Sequence, residues 1–252
     1  MFFSSALRRL LILPLAAAGL LAAPLSPALA TAPPPNLSAA TSAFLARHVN
    51  AAGNVNYAAI KRSPAELNGL LQRIETFDAA AAKPADREAF YLNAYNLLVI
   101  GEVVARYPLV SVEKVPGFFD KNLVSVAGEK LTLNDLEARK LRQPYNDPRV
   151  HFALVCGAKG CPRLSKTAYV GSQLDAQLAT QTRKVLQDPA FIRVDAKTGK
   201  VQLSQIFKWY EADFKASGKT GVAYVNQFRP GPAIPATYAV DYYTYDWSLN
   251  KQ

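Results

Sequence analysis

The segment ADREAFYLNAYNLLVIGEVVARY, residues 85–107, lies between Pro84 and Pro108 and is apolar on most of its circumference. A helix that is apolar all round is buried in the interior of a protein. Because proline is accepted at the first turn of a helix but not in its interior, the two prolines set the length of this one. The sequence therefore predicts a long buried helix at the centre of the fold.

Two asparagines of this segment, Asn93 and Asn96, are three positions apart and share a helix face. A buried amide without a hydrogen-bond partner costs about a few kcal/mol, so each must find one. They either tie neighbouring loop backbone to the helix or contribute to a binding site, and the pattern fits both.

The rest of the chain predicts further helices and two hairpins, with no internal repeat. We therefore expect an α+β fold, a single domain in which a small antiparallel or mixed sheet built from hairpins and several helices surround the central helix. Helices are predicted at residues 38–49, 64–77, 134–142, 172–186, 204–217 and 222–228, hairpins at 124–133 and 192–203, and strands at 150–156 and 238–246.

The first residues have the layout of a secretory signal. Arg8 and Arg9 precede an apolar run over residues 10–21, and Ala28-Leu29-Ala30 resembles a cleavage site. This predicts a signal peptide over residues 1–30, a Pro-rich linker over 31–36 and one globular domain over 37–252. The protein is then exported, periplasmic or secreted, with no stable insertion in a membrane.

The chain carries a net charge of +10, from 29 Lys and Arg against 19 Asp and Glu. The basic residues are spread out, which is typical of a solvated surface and, together with export, excludes nucleic acid as the expected partner. The expected ligand is an unidentified small molecule, peptide or cell-wall component, with a weak attraction to anionic envelope polymers. No phosphate-binding glycine loop, Ser-based elbow or HExxH motif occurs, so no cofactor is predicted.

The segment HFALVCGAKGCP, residues 151–162, contains both cysteines and one of the two histidines. A first interpretation is a disulfide between Cys156 and Cys161, since export favours oxidation and Gly157 and Gly160 make the intervening turn flexible.

A second interpretation is a cysteine nucleophile with a histidine base. If residues 151–156 form a strand, side chains alternate, and His151 and Cys156 point to opposite faces. The turn after Cys156 can instead bring Cys161 back towards His151. This predicts Cys161 as nucleophile and His151 as base, with Asn93, Asn96 or Asp213 orienting the imidazole.

A third interpretation is a metal site formed by His151, Cys156, Cys161 and His48. The C-x₄-C spacing lies at the edge of what zinc sites use, and no metal is predicted.

Several blocks of the sequence carry a family resemblance. In chain order they are NVNY at residues 54–57, FYLNAYN at 90–96, HFALVCGAKGCP at 151–162, LSQIFKWYEADF at 203–214 and YDWSLN at 245–250. They resemble the signature blocks of the domain of unknown function 547 family. The resemblance implies exported bacterial relatives and plant relatives with coiled coils, and it implies no activity.

Two functions are therefore expected. One is a thiol hydrolase or acyl transferase that acts on peptide or amide bonds in the cell envelope. The alternative is a non-catalytic envelope binding or scaffold domain in which Cys156–Cys161 is a structural disulfide.

Overall fold

The helix predicted between the two prolines is α4, Pro84–Arg106, in the computed structural model of the chain. Every residue from Glu88 to Ile100 is buried, so the core is built around this helix as expected. The structure describes residue 1 and residues 36–252. The predicted signal peptide, residues 1–30, and residues 31–35 of the predicted linker lie outside the described part.

Three helices before α4 pack around it: α1, Leu37–His48, α2, Tyr57–Arg62, and α3, Ala65–Glu75. The side chain of Asn36 caps α1 by accepting a hydrogen bond from the backbone N–H of Ala39 at 2.8 Å. No side chain caps the start of α3, because Ser63 instead ends α2, donating its backbone N–H to carbonyls of that helix.

The predicted first hairpin is present as β1, Val124–Val126, and β2, Glu129–Leu131. Helix α5, Leu133–Glu137, follows it and is capped by the Thr132 hydroxyl, which accepts the backbone N–H of Asp135. It continues through a π-helical turn, Ala138–Arg142, into α6, Gln143–Tyr145. The π-helical turn positions Arg142, which bonds to Asp213 in the candidate site.

Residues 150–156 do not form the predicted strand. Val150–Ala153 is a short helix, α7, and the chain is extended only from Leu154. The turn before it starts the helix, since the Asp147 carbonyl accepts the Val150 N–H. A short apolar run cannot be assigned to strand or helix by periodicity, and the local hydrogen bonds decide here. The alternation argument that separated His151 from Cys156 therefore does not apply.

The second half contains α8, Leu174–Leu186, and a three-stranded sheet. Strands β3, Ile192–Asp195, and β4, Lys200–Leu203, form the predicted second hairpin, and β5, Ala239–Tyr242, pairs parallel to β4. The helix predicted after Ser204 is divided at Tyr210 into α9, Ile206–Trp209, and α10, Glu211–Ala216, and α11, Gly221–Phe228, follows.

Helix makes up about 49% and strand about 11% of the residues that the structure describes, with small antiparallel and mixed sheets, which confirms the α+β prediction. Among the helices of residues 36–252, none has both the length and the apolar character needed to cross a membrane.

Candidate functional site

A cavity of about 340 Å³ brings together segments that lie far apart in the sequence. Its walls come from the central helix, the loop before β1, α5, α7, the loop that holds both cysteines, α9 and the residues after β5. Aromatic and apolar side chains dominate the lining: Tyr95, Phe119, Asn134, Glu137, His151, Leu154, Cys156, Cys161, Pro162, Ile206, Trp209, Tyr210, Tyr245 and Trp247. His151 and Cys161, paired by the sequence-based hypothesis, thus line one cavity.

His151 is hydrogen bonded to Asp213, with 2.8 Å between Nε2 and Oδ2. Asp213 also accepts two hydrogen bonds from Arg142, at 2.7 Å from Nε and 3.1 Å from Nη2. The hydrogen bond from His151 and those from Arg142 hold the pKa of the Asp213 carboxyl well below its usual range. Of the three expected orienting residues, Asp213 is therefore the one that contacts the imidazole.

The charge of Asp213 determines which imidazole nitrogen can act as a base. An ionised carboxylate only accepts hydrogen bonds, so Nε2 of His151 must be the donor in this contact. In the uncharged ring, Nδ1 is then the nitrogen with a free electron pair. The arrangement therefore leaves Nδ1 of His151 able to take a proton.

Aromatic rings fix the position of the imidazole. The Tyr210 ring stacks on it with a centroid distance of 3.8 Å, and the Phe214 ring lies 5.8 Å away. The guanidinium carbon of Arg142 lies 4.8 Å from the Tyr210 centroid. Since the His151 side chain is only 2% exposed, its orientation is set by packing as well as by Asp213.

Cys156 and Cys161 form a disulfide, as the first interpretation of the segment predicted. The Sγ atom of Cys161 accepts hydrogen bonds from the Cys156 backbone N–H at 3.0 Å and from the Tyr245 hydroxyl at 3.2 Å. The same hydroxyl lies 3.4 Å from Cys156 Sγ. Two donors thus converge on the sulfur that the nucleophile hypothesis requires.

The loop that carries the disulfide, residues 156–161, is held by residues from late in the chain. The N–H groups of Lys159 and Gly160 donate to the carbonyls of Ser248 and Asp246, each at 2.8 Å. A side chain on Gly160 would begin 2.9 Å from the Tyr245 ring, so glycine is needed for this close approach.

Asn93 and Asn96 both bind loop backbone, which was one of the two interpretations of the pair. Asn93 exchanges two hydrogen bonds of 2.8 Å with the backbone of Tyr169. Asn96 donates to the Ala153 carbonyl at 3.0 Å and accepts from the Val155 N–H at 2.9 Å. Asn96 therefore fixes the segment that joins His151 to Cys156, whereas Asn93 fixes a loop that does not line the cavity.

The sequence-based hypothesis missed four polar residues of the site: Glu137, Arg142, Tyr210 and Tyr245. Burial raises the pKa of the Glu137 carboxyl, which interacts with the hydroxyls of Tyr95 and Tyr210. The two missed tyrosines stand in the blocks quoted above for the family resemblance, and that was the available signal. Glu137 and Arg142 lie in the helix predicted at residues 134–142, where no sequence signal marked them as part of a site.

His48 lies outside the cavity, with its ring centroid 4.8 Å from that of Phe44 and Nε2 3.9 Å from Glu66. Within the described residues, no group of three or more His, Cys, Asp or Glu side chains is arranged to hold a metal ion.

The fold and the site define an α+β protein with a carboxylate-bound histidine beside a disulfide in an aromatic cavity. The family model described as "Protein of unknown function, DUF547" matches residues 80–186. This match confirms, over residues 80–186, the resemblance seen in the sequence. No curated protein and no solved structure matches the chain.

Proposed function

We propose that this protein is an exported thiol hydrolase or acyl transferase that acts on peptide or amide bonds. Cys161, in its reduced form, is the nucleophile, His151 is the base and Asp213 orients the imidazole. The observation that carries the proposal is the 2.8 Å hydrogen bond between His151 and Asp213 in a cavity that Cys161 also lines. A nucleophile, a base and an orienting carboxylate are the parts that such catalysis requires.

In the first half of the reaction, His151 Nδ1 removes the proton of the Cys161 thiol, and the thiolate attacks the carbonyl carbon of the substrate. A C–S bond forms, the C–N bond breaks, and the imidazolium returns the proton to the leaving amine. In the second half, water or an acceptor amine attacks the thioester and releases Cys161. The N–H of Cys156 and the hydroxyl of Tyr245 support the first step by stabilising negative charge on sulfur.

The nucleophile becomes available only when the disulfide is reduced. A dithiol reductant supplies the two electrons and two protons and is itself oxidised to a disulfide. The ring closed by Cys156 and Cys161 is short, so its loss removes only about 2 kcal/mol of stability. That is a fraction of the roughly 5–15 kcal/mol typical of a folded domain, so the reduced protein stays folded.

Export is supported by two observations. The sequence begins with a basic, then apolar, then small-residue pattern typical of a signal peptide. The cysteine pair is placed as a disulfide, a bond that persists in oxidising compartments.

The test is the rate at which iodoacetamide modifies each cysteine of the reduced protein, followed by mass spectrometry of the two cysteine-containing peptides. We expect Cys161 to react faster than Cys156 at neutral pH, and its rate to fall by about tenfold or more in His151→Ala. The matched control is His48→Ala, which removes the other histidine and should leave the rate unchanged. Equal rates at both cysteines, unaffected by His151→Ala, would overturn the proposal.

A second candidate function is a non-catalytic binding domain with a structural disulfide. The observation that favours it is the disulfide itself, which occupies Cys161 Sγ. Reduced wild-type protein and Cys161→Ser are compared in the hydrolysis of p-nitrophenyl acetate. A burst of p-nitrophenolate in the wild type alone supports the thiol enzyme, and identical slow traces in both support the binding domain.

A further inference from the structure

A larger depression of about 980 Å³ shares Cys161 and Pro162 with the aromatic cavity, since both residues line the two cavities. Its remaining walls are residues 50–54, residues 163–167, the C-terminal half of α8 and residues around β3 and β5. We call it the basic groove, because five basic side chains line it against two acidic ones: Lys159, Arg163, Lys166, Lys184 and Arg193 against Asp188 and Asp246.

The two acidic side chains do not neutralise the groove. Asp188 pairs with Arg163 at 2.9 Å, and Asp246 accepts hydrogen bonds from the backbone and hydroxyl of Ser248. Lys166 and Lys184 are exposed and have no ion pair among the residues that the structure describes. The groove therefore keeps an excess of positive charge on two of its walls.

Close packing and hydrogen bonds hold the walls formed by residues 50–54, residues 163–167 and α8 in place. A side chain on Gly53 would begin 2.7 Å from the backbone of Leu164, so the loop at residues 50–54 packs directly on the segment after Pro162. The Gln181 side chain donates to the carbonyls of Arg163 and Phe152, at 2.9 Å and 3.0 Å. The positions from which Lys166 and Lys184 project are thus set before any ligand binds.

The chemistry of the groove favours carboxylates over nucleic acid. Single-stranded nucleic acids bind through exposed aromatic rings on which bases stack. The two aromatic residues of the groove, Phe191 and Tyr243, are 6% and 9% exposed and offer no such platform. Arg193 lies 4.2 Å from the Tyr243 centroid, and Arg163 is paired, so the free cations are lysine ammonium groups. Ammonium groups are point charges that pair with single carboxylates.

We infer that the basic groove binds a carboxylate-bearing peptide, and that the peptide's amide bond reaches Cys161 where the groove meets the aromatic cavity. The position of the amide bond at Cys161 rests on the proposed function, whereas the binding of the peptide in the groove does not. The substrate is then a peptide with acidic groups on the groove side of the cleaved bond and an apolar or aromatic group on the cavity side.

The experiment measures binding of a fluorescein-labelled poly-L-glutamate oligomer by fluorescence anisotropy. It uses the oxidised full-length protein and Cys161→Ser, neither of which has a free Cys161 thiol. We expect both to bind, with affinity falling about tenfold or more in the double variant Lys166→Gln/Lys184→Gln. The matched control is Lys130→Gln/Lys197→Gln, which removes the same charge from exposed positions outside the groove.

Equal losses in the two double variants would mean that binding follows net charge, and would overturn the inference. Tighter binding of a single-stranded DNA oligonucleotide than of poly-L-glutamate would also overturn it and assign the groove to nucleic acid. The two proposals can fail separately. If only the groove variant loses binding and the reduced Cys161 shows no enhanced reactivity, the groove is a peptide-binding site and the catalytic function is rejected.

Discussion

The imidazole of His151 and the carboxylate of Asp213 are joined by a 2.8 Å hydrogen bond although 62 positions separate them in the chain. Arg142 binds the same carboxylate through two nitrogens and keeps it ionised. This contact determines the tautomer of the uncharged histidine and therefore which ring nitrogen keeps a free electron pair.

We expect the uncharged imidazole of His151 to carry its proton on Nε2. Long-range ¹H–¹⁵N NMR distinguishes the two tautomers of each histidine. In Asp213→Asn the side chain can present either a donor or an acceptor to the ring, so the tautomer preference should be lost. The His48 signals give an internal control and should not change. A ring that carries its proton on Nδ1 in the wild type would contradict the role assigned to Asp213.

The two asparagines of α4 should differ in their effect on the cysteines. Asn93→Ala and Asn96→Ala each leave a backbone N–H and a carbonyl without their partner, at a cost of about 2–4 kcal/mol in chemical denaturation. Only Asn96 holds the segment between His151 and Cys156. Alkylation of Cys161 in the reduced protein should therefore slow in Asn96→Ala and keep its wild-type rate in Asn93→Ala. The same slowing in both variants would show that it reflects general loosening.

Gly160→Ala should destabilise the protein by about 1–3 kcal/mol, because the new methyl group must push the Tyr245 ring away. The displaced ring also weakens the hydrogen bond to Cys161 Sγ, so alkylation of the reduced protein should slow.

The matched control is Gly69→Ala in α3, where a methyl group meets no atom within 4 Å. Its higher helix propensity should raise stability by up to about 1 kcal/mol. Urea unfolding of both variants measures the difference, and a stable Gly160→Ala would disprove the tight contact.

Glu88 should make the protein less stable as the pH rises towards neutrality. Burial and the nearby Asp147 raise the pKa of Glu88 to about 7, and one of its carboxyl oxygens is buried without a partner. In the unfolded chain the pKa is about 4.3. Between these values the folded state binds more protons than the unfolded state, so stability falls from about pH 4 to pH 7.

Glu88→Gln removes this dependence and should be more stable than the wild type at pH 8 by about 1–2 kcal/mol. That is less than the full shift in pKa would give, because solvent reaches part of the group. Glu75→Gln, at an exposed position of α3, is the control for loss of one negative charge. The proposed cause is wrong if both variants follow the same stability curve between pH 4 and pH 8.

The sequence predicted the elements whose signals are local. Pro84 and Pro108 marked the ends of α4, and the alternation around residues 127–128 marked the first hairpin. It also placed His151 and Cys161 in one site and named Asp213 as one of three possible orienting residues.

The remaining features of the site depend on contacts between distant segments. The strand predicted at residues 150–156 was wrong, because the four helical residues there leave too short a pattern to distinguish helix from strand. Arg142 reaches Asp213 from a π-helical turn, and such a turn has no sequence pattern comparable to that of a hairpin. The choice of Asp213 over Asn93 and Asn96 required knowing which loops the two amides hold.

The disulfide loop and the backbone that anchors it come from distant parts of the chain, so the disulfide and the anchoring hydrogen bonds can form at different stages of folding. Its partners, Asp246, Ser248 and Asn250, lie about 90 residues after Cys156 in the chain. The ring between Cys156 and Cys161 needs only its own few residues and can therefore close before the anchoring hydrogen bonds form. If the cysteines are oxidised before these hydrogen bonds form, the oxidant meets an unanchored loop. If they are oxidised afterwards, the oxidant must reach thiols that Tyr245 already encloses. The order of these two events sets which oxidants can reach the pair.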